Sequence, residues 1–276
     1  MCRNFGVIRF KTRHSKCRTG FIALQVFSEM FQHTQLRIVG YTAILVIHTT
    51  NVFYMNWHTK GVHTKDERVL VFKGLDNRFL TTWNFMLQTA YAIFGLLCDV
   101  YVLKNSRKQL CSLPSYIAEL REIMFSAIVW PSTWLVFTVF WGLYNYDRSL
   151  IFPEYLDPFL PRVSNHVIHT LIAPIVLFEI ISRPRIEPST HLKNLIITSL
   201  YICSYLLVML LTYKERNVWL YPVFGLLYGS VYFVLLVIGI YGLAIGFYMV
   251  QWPISRMICL KGTKKNRQIQ KRKKRV

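Results

Sequence analysis

Six stretches of this chain run for roughly twenty residues each with hardly a charge, the length an α-helix needs to cross the hydrocarbon of a bilayer. They lie at about 38 to 58, 79 to 103, 122 to 143, 165 to 182, 194 to 213 and 219 to 250. The rest of the composition agrees, since 53% of the 276 residues are apolar. The expected fold is all-α, a polytopic transmembrane helix bundle of about six spans.

A formal charge of +20 would point to nucleic acid in a soluble chain. Here the Lys and Arg gather at both ends and in loops, with no zinc, RNA-recognition or helix-turn-helix pattern, so no nucleic-acid partner is expected. Six spans put both termini on one face, and 24 of the 33 Lys and Arg fall on that face against 9 on the other. Basic residues concentrate on the cytosolic side, which predicts cytosolic termini with anionic headgroups as partners of the basic ends. Three regions follow: a basic segment at 1–37, a six-span domain at 38–250 and a basic tail at 251–276. Residues Phe21 to Phe31 could form a short helix on the membrane surface. The terminal Lys273, Lys274, Arg275 and Val276 are similar to a dilysine retrieval signal, so the endoplasmic reticulum is the expected location, with the plasma membrane as the alternative.

Six scattered cysteines, Cys2, Cys17, Cys98, Cys111, Cys203 and Cys259, form neither a disulfide framework nor a C-x-x-C zinc pair. There is no P-loop, no G-x-G-x-x-G, no G-x-S-x-G elbow and no H-E-x-x-H, so no cofactor is expected.

Chemistry concentrates in Phe140 to Thr170, FWGLYNYDRSLIFPEYLDPFLPRVSNHVIHT, where ionisable groups sit at the edge of an apolar segment. Such groups are costly there unless they are satisfied or used. Asn165, His166 and His169 open the fourth span, with Pro174 placed to bend it. In the second span Thr81, Asn84 and Gln88 recur at helical spacing on one face, and Asp99 returns to that face five turns on. Polar residues in such a helix more often bond to neighbouring helices than react. Both spans run inward from the same face, however, so Thr81 and His169 can meet at one depth. A threonine hydroxyl is a poor nucleophile until a base takes its proton, and an imidazole suits that task. Such a pair in an apolar cavity reads as acyl transfer or ester hydrolysis on a lipid. A metal held by His166 and His169 with Asp147 or Asp157 is the rival use of the histidines. The turn through Pro153, Pro158 and Pro161 separates these groups, and no metal is expected.

These segments, with RFLTTWNFMLQ before them and VWLYP at Val218 to Pro222 after, resemble the androgen-induced gene 1 family, also called the FAR-17a family. The resemblance runs from about residue 38 to 250 through the Y-D-R, N-H-x-x-H-T and W-x-Y-P signatures. It implies a multi-pass membrane hydrolase that cleaves fatty acid esters of hydroxy fatty acids with a threonine and a histidine. Aligned through F-L-T, the family threonine falls on Thr81 rather than Thr82, and the catalytic histidine on His169 rather than His166. The chain departs from the family at Lys73 to Arg78 (KGLDNR), where glycine and aromatic residues are typical, which bears on substrate preference.

The expectation is a lipid ester hydrolase whose substrate enters from the bilayer. Thr81 would attack and His169 would act as base, with His166 in support and Asn84, Gln88 or Asn165 donating to the oxyanion. Asp147 would orient His169 or, as the favoured alternative, pair with Arg148. Arg78 or Arg148 would hold a substrate carboxylate or snorkel to headgroups. A non-enzymatic membrane regulator or lipid-binding scaffold is the competing expectation.

Overall fold

The computed structural model describes the backbone of residues 16–61, 66–105, 113–183 and 185–273, and the side chains of 33–60, 66–105, 113–183 and 185–259. Every regular element among them is helical: α1 (Lys16–Gly61), α2 (Glu67–Lys73), α3 (Leu80–Asn105), α4 (Ser115–Ile123), α5 (Trp130–Asp147), α6 (Arg162–His169), α7 (Ile172–Ser182), α8 (Leu192–Arg216), α9 (Pro222–Leu227) and α10 (Val231–Lys273). Six stretches are long and apolar enough to span a bilayer, namely His33–Lys60, Leu80–Asn105, Ser115–Leu150, Arg162–Ser182, Leu192–Arg216 and Val231–Cys259. The outward faces carry Phe53, Leu97, Leu200 and Leu235, all exposed, as suits contact with lipid tails. The chain is a polytopic helical membrane protein.

Helix α1 passes residue 37 and α10 passes residue 250 without a break. The side chains of Phe21 to Phe31, and the KKRV end, lie outside the described residues. The last span begins at Val231 rather than near 219. Gly229, at φ +82, turns the chain between α9 and α10, a conformation that glycine adopts without a Cβ clash. Gly239, Gly242 and Gly246 in α10 face open space. Close approach occurs at Gly95, where an added Cβ would come within 2.7 Å of the Tyr41 ring, so α1 and α3 touch there.

Two prolines shape the spans that build the site. Pro131 has no N–H, so the Ala127 carbonyl one turn back loses its helical donor. The backbone widens into a π-helical turn over Met124–Val129. Thr198 Oγ1 on α8 donates to the Ala127 carbonyl at 2.7 Å, and Gln251 Nε2 on α10 donates to the Ser126 carbonyl at 2.9 Å. The defect in one helix thereby becomes the joint between three. Pro174 acts likewise on the fourth span: the Thr170 carbonyl loses its helical donor and accepts from the Ala173 N–H at 3.2 Å instead, and the helix breaks there into α6 and α7. His169 is the last residue of α6.

The polar face of α3 is mostly structural. Asn84 Oδ1 accepts from Ser132 at 2.9 Å and Thr133 at 3.0 Å, and Gln88 Nε2 donates to Thr133 at 2.8 Å and the Ile172 carbonyl at 3.2 Å. These bonds fasten α3 to α5 and α7, and they leave Asn84 Nδ2 and Gln88 Oε1 buried without partners. Toward the face shared by the termini, Asp99 sits between Arg37 and Arg121, at 2.8 and 2.9 Å. Beside it, Glu179 accepts from Tyr41, Tyr91 and Arg185.

Candidate active site

At the opposite end of the bundle the helices part around a cavity of about 960 Å³. Its walls are almost wholly apolar, and Thr81 and His169 both face into it. Thr81 lies in the first turn of α3, half-buried, and His169 at the end of α6 is buried. Their side chains meet at 3.1 Å between Oγ1 and Nε2, inside the window of about 2.6–3.2 Å expected of a nucleophile and its base.

The backbone of α6 sets the proton on the ring. His169 Nδ1 lies 3.1 Å from the Asn165 main-chain carbonyl and 2.7 Å from Asn165 Oδ1. A carbonyl oxygen can only accept, so Nδ1 carries the hydrogen and Nε2 keeps its lone pair toward Thr81. Helical spacing puts Asn165 one turn before His169, within reach of its ring. The imidazole also lies flat on Phe140, with centroids 3.5 Å apart and planes 8° apart. The ring is held on one edge and one face, which leaves Nε2 aimed into the cavity.

Thr82 is committed elsewhere, donating to the Asp76 carbonyl at 2.8 Å and capping the turn before α3. His166 turns to Thr170 Oγ1 at 3.0 Å and stacks on Trp141, away from Thr81. Asn165 orients His169 through Nδ1. Asn84 and Gln88 are sealed in the core with Ser132 and Thr133. Asp147 follows neither of its two expected courses: it accepts from the Ser149 N–H at 2.9 Å and caps the turn leaving α5. Arg148 pairs with Asp157 instead, and donates to the Phe152 carbonyl at 3.2 Å. Arg78 is engaged with Glu215 at 2.8 Å and Thr212 at 3.0 Å. Among the described residues no three His, Cys, Asp or Glu side chains gather as a metal would require.

Two tyrosines that the sequence did not single out also line the cavity. The first N–H of α3, that of Leu80, has no carbonyl one turn back to bond to. It donates to the hydroxyls of Tyr205 and Tyr221, both at 3.1 Å, and Tyr205 in turn donates to Tyr221 at 3.2 Å. The Tyr221 hydroxyl thus receives two hydrogens beside the residue that precedes Thr81, and its own hydrogen remains to be given. Burial pushes the Tyr221 phenol upward, so it stays protonated. Tyr221 is the tyrosine of W-x-Y-P, the only sign of it in the sequence. Asp76 also lines the cavity, and partial burial pushes its carboxyl up to about 6 despite the opposing charge of Lys73.

Comparison with known proteins gives the family. Residues 36–255 match the family described as FAR-17a/AIG1-like protein. The androgen-dependent TFPI-regulating protein of Mus musculus is 35% identical over 174 residues, covering 62% of this chain and 73% of that protein. Its Homo sapiens counterpart is 33% identical over 150 residues, 54% of this chain and 62% of that protein. The androgen-induced gene 1 protein of Homo sapiens is 29% identical over 149 residues, 52% of this chain and 62% of that protein. No solved structure matches the chain. With its whole membrane bundle covered by the family match, the chain belongs to the FAR-17a/AIG1-like family.

Proposed function

We propose that this protein is an intramembrane hydrolase of lipid carboxylic esters, with Thr81 as nucleophile and His169 as general base. The observation that carries the reading is the 3.1 Å contact between Thr81 Oγ1 and the unprotonated Nε2 of His169 inside a greasy cavity. His169 takes the hydroxyl proton as Thr81 Oγ1 bonds to the ester carbonyl carbon. The tetrahedral intermediate collapses as the alkoxide leaves with the proton from Nε2. Water then attacks the acyl-threonine, gives its proton to Nε2, and releases the fatty acid while Thr81 recovers its hydrogen. The Tyr221 hydroxyl, which lines the cavity, is suited to donate to the oxyanion, a place that Asn84 and Gln88, which do not line it, are poorly set to fill.

The substrate class we propose is the fatty acid esters of hydroxy fatty acids, reached laterally from the bilayer. A substrate carboxylate at Arg78 or Arg148 would have to displace Glu215 or Asp157. Both are half-exposed pairs at the rim, and exchange there costs on the order of 1 kcal/mol or less. We place the termini in the cytosol and the active site toward the lumen of the endoplasmic reticulum, following the distribution of Lys and Arg.

The second reading is a membrane regulator or lipid-binding scaffold. It draws on the packing roles of Asn84 and Gln88 and on the regulatory activity that the relatives' name states of them. One experiment separates the two: cleavage of a fatty acid ester of a hydroxy fatty acid by purified protein in detergent. Loss of turnover in both Thr81→Ala and His169→Ala, with unchanged melting, supports the hydrolase. Turnover that survives both substitutions overturns it.

A further inference from the structure

The cavity extends well beyond Thr81, and His48 of α1 lies along it. His48 is 1% exposed, so it sits in the middle of an apolar bundle. Its Nδ1 is 2.8 Å from Thr89 Oγ1, while the Thr89 hydroxyl already donates to the Phe85 carbonyl at 2.9 Å. With that hydrogen committed, Nδ1 is the donor of the His48 contact, and Nε2 is left as a bare acceptor. Its face stacks on Phe85 at 4.2 Å between centroids, so the ring cannot swing to find a partner. Nε2 is buried without one.

One turn along α1, Asn51 repeats the pattern. It is 5% exposed and lines the same cavity. Its Nδ2 reaches only the sulfur of Met55, at 3.6 Å, and Oδ1 is buried and unpaired. Two adjacent buried acceptors, both fixed in place, are an uncompensated cost unless a donor arrives. The surrounding wall is apolar, so the donor must be carried by something that is otherwise greasy.

We propose that His48, Asn51 and Thr89 form a second polar subsite of the cavity, which takes a free hydroxyl carried on the apolar body of a lipid. Thr89 is eight residues beyond Thr81 on α3, so the subsite lies about 12 Å deeper. A lipid held at Thr81 by its carbonyl presents a mid-chain hydroxyl at that depth. Nothing in this recognition requires the ester to be cleaved.

The test uses the full-length protein in detergent, carrying Thr81→Ala so that turnover plays no part. A fluorescent octadecanoyl probe is displaced by three competitors: methyl octadecanoate, the same ester with a mid-chain hydroxyl, and that hydroxyl capped as a methoxy ether. The ether keeps the oxygen and removes only the donated hydrogen. The hydroxy ester should compete about tenfold better than either of the others, the worth of one recovered hydrogen bond. His48→Phe and Asn51→Leu should each reduce that advantage to less than about threefold. Equal competition by all three esters, as water filling the subsite would give, overturns the proposal. So does an advantage that persists in both variants. Should either variant fail to fold, the comparison of hydroxyl with ether in the parent protein still decides the matter, and the hydrolase reading is untouched by either result.

Discussion

The imidazole of His169 lies parallel to the ring of Phe140, 3.5 Å from it, with one edge bound to Asn165 and the other turned to Thr81. A base held on a face and an edge, as we propose for His169, has little freedom left to lose when substrate binds, which is where orientation contributes to rate. Phe140 is itself 5% exposed, so it serves the core as well.

Phe140→Leu should separate these two roles. Leucine keeps most of the volume and frees the imidazole, so ester turnover should fall by about tenfold while KM stays within twofold. Phe140→Ala opens a cavity as well and should cost about 3–5 kcal/mol of stability. Steady-state kinetics beside thermal melting in detergent checks both. Equal loss of turnover and stability in the leucine variant would make the stacking merely structural.

Tyr221→Phe tests the oxyanion assignment. Removal of one preorganised donor typically slows turnover by about 10²–10³-fold. The Leu80 N–H keeps Tyr205 as an acceptor, so α3 stays capped and the melting temperature should move little. A variant that turns over normally would return the role to a donor that the free protein does not display.

The charged cluster at the far end should matter for folding and not for chemistry. Asp99 is 1% exposed between two guanidinium groups. Asp99→Asn leaves Arg37 and Arg121 facing a neutral amide in a dry interior, which should cost about 3–5 kcal/mol. The half-exposed Arg148 and Asp157 pair is the control, since Asp157→Asn should cost about 1 kcal/mol or less. Chemical denaturation in mixed micelles reads both, and the folded fraction of each should retain its specific turnover.

Asp76 sets a pH dependence of known sign. Its carboxyl is raised to about 6 in the folded protein, above the unfolded value of 3.8, so the fold favours the protonated form. Ionisation above pH 6 therefore weakens the fold, and the penalty fades as pH falls from 6 toward 4. Asp76→Asn keeps the main-chain carbonyl that Thr82 needs. It should raise the melting temperature at pH 7.5 and lose that advantage near pH 4. A gain that is the same at both values would point to a cause other than charge.

Much of this protein could be read along the chain because helices obey local rules. Length and absence of charge mark the spans. Asn165, expected as an oxyanion donor, instead lies one turn before His169 and accepts from its Nδ1, a contact that the four-residue step permits and the rotamer of His169 completes. Pro174 predicts a bend in the fourth span, and the helix breaks at Thr170, four residues before it. What could not be read was contact between segments far apart in sequence. Asp147 and Arg148 are adjacent, yet backbone geometry turned one to Ser149 and the other to Asp157.

Along the sequence alone, then, the number of spans and the polar face of α3 were determined, because each depends on composition and spacing within one helix. Only the tertiary structure decided that Thr81 meets His169, which ring edge of His169 carries the proton, that Tyr221 reaches the first N–H of α3, and that His48 Nε2 is left without a partner beside the same cavity. Those contacts depend on which helices are neighbours and how each is rotated about its axis. In a bilayer, where every helix is apolar on most of its faces, side-chain packing and the few buried polar bonds settle that choice, and neither is written in any single stretch.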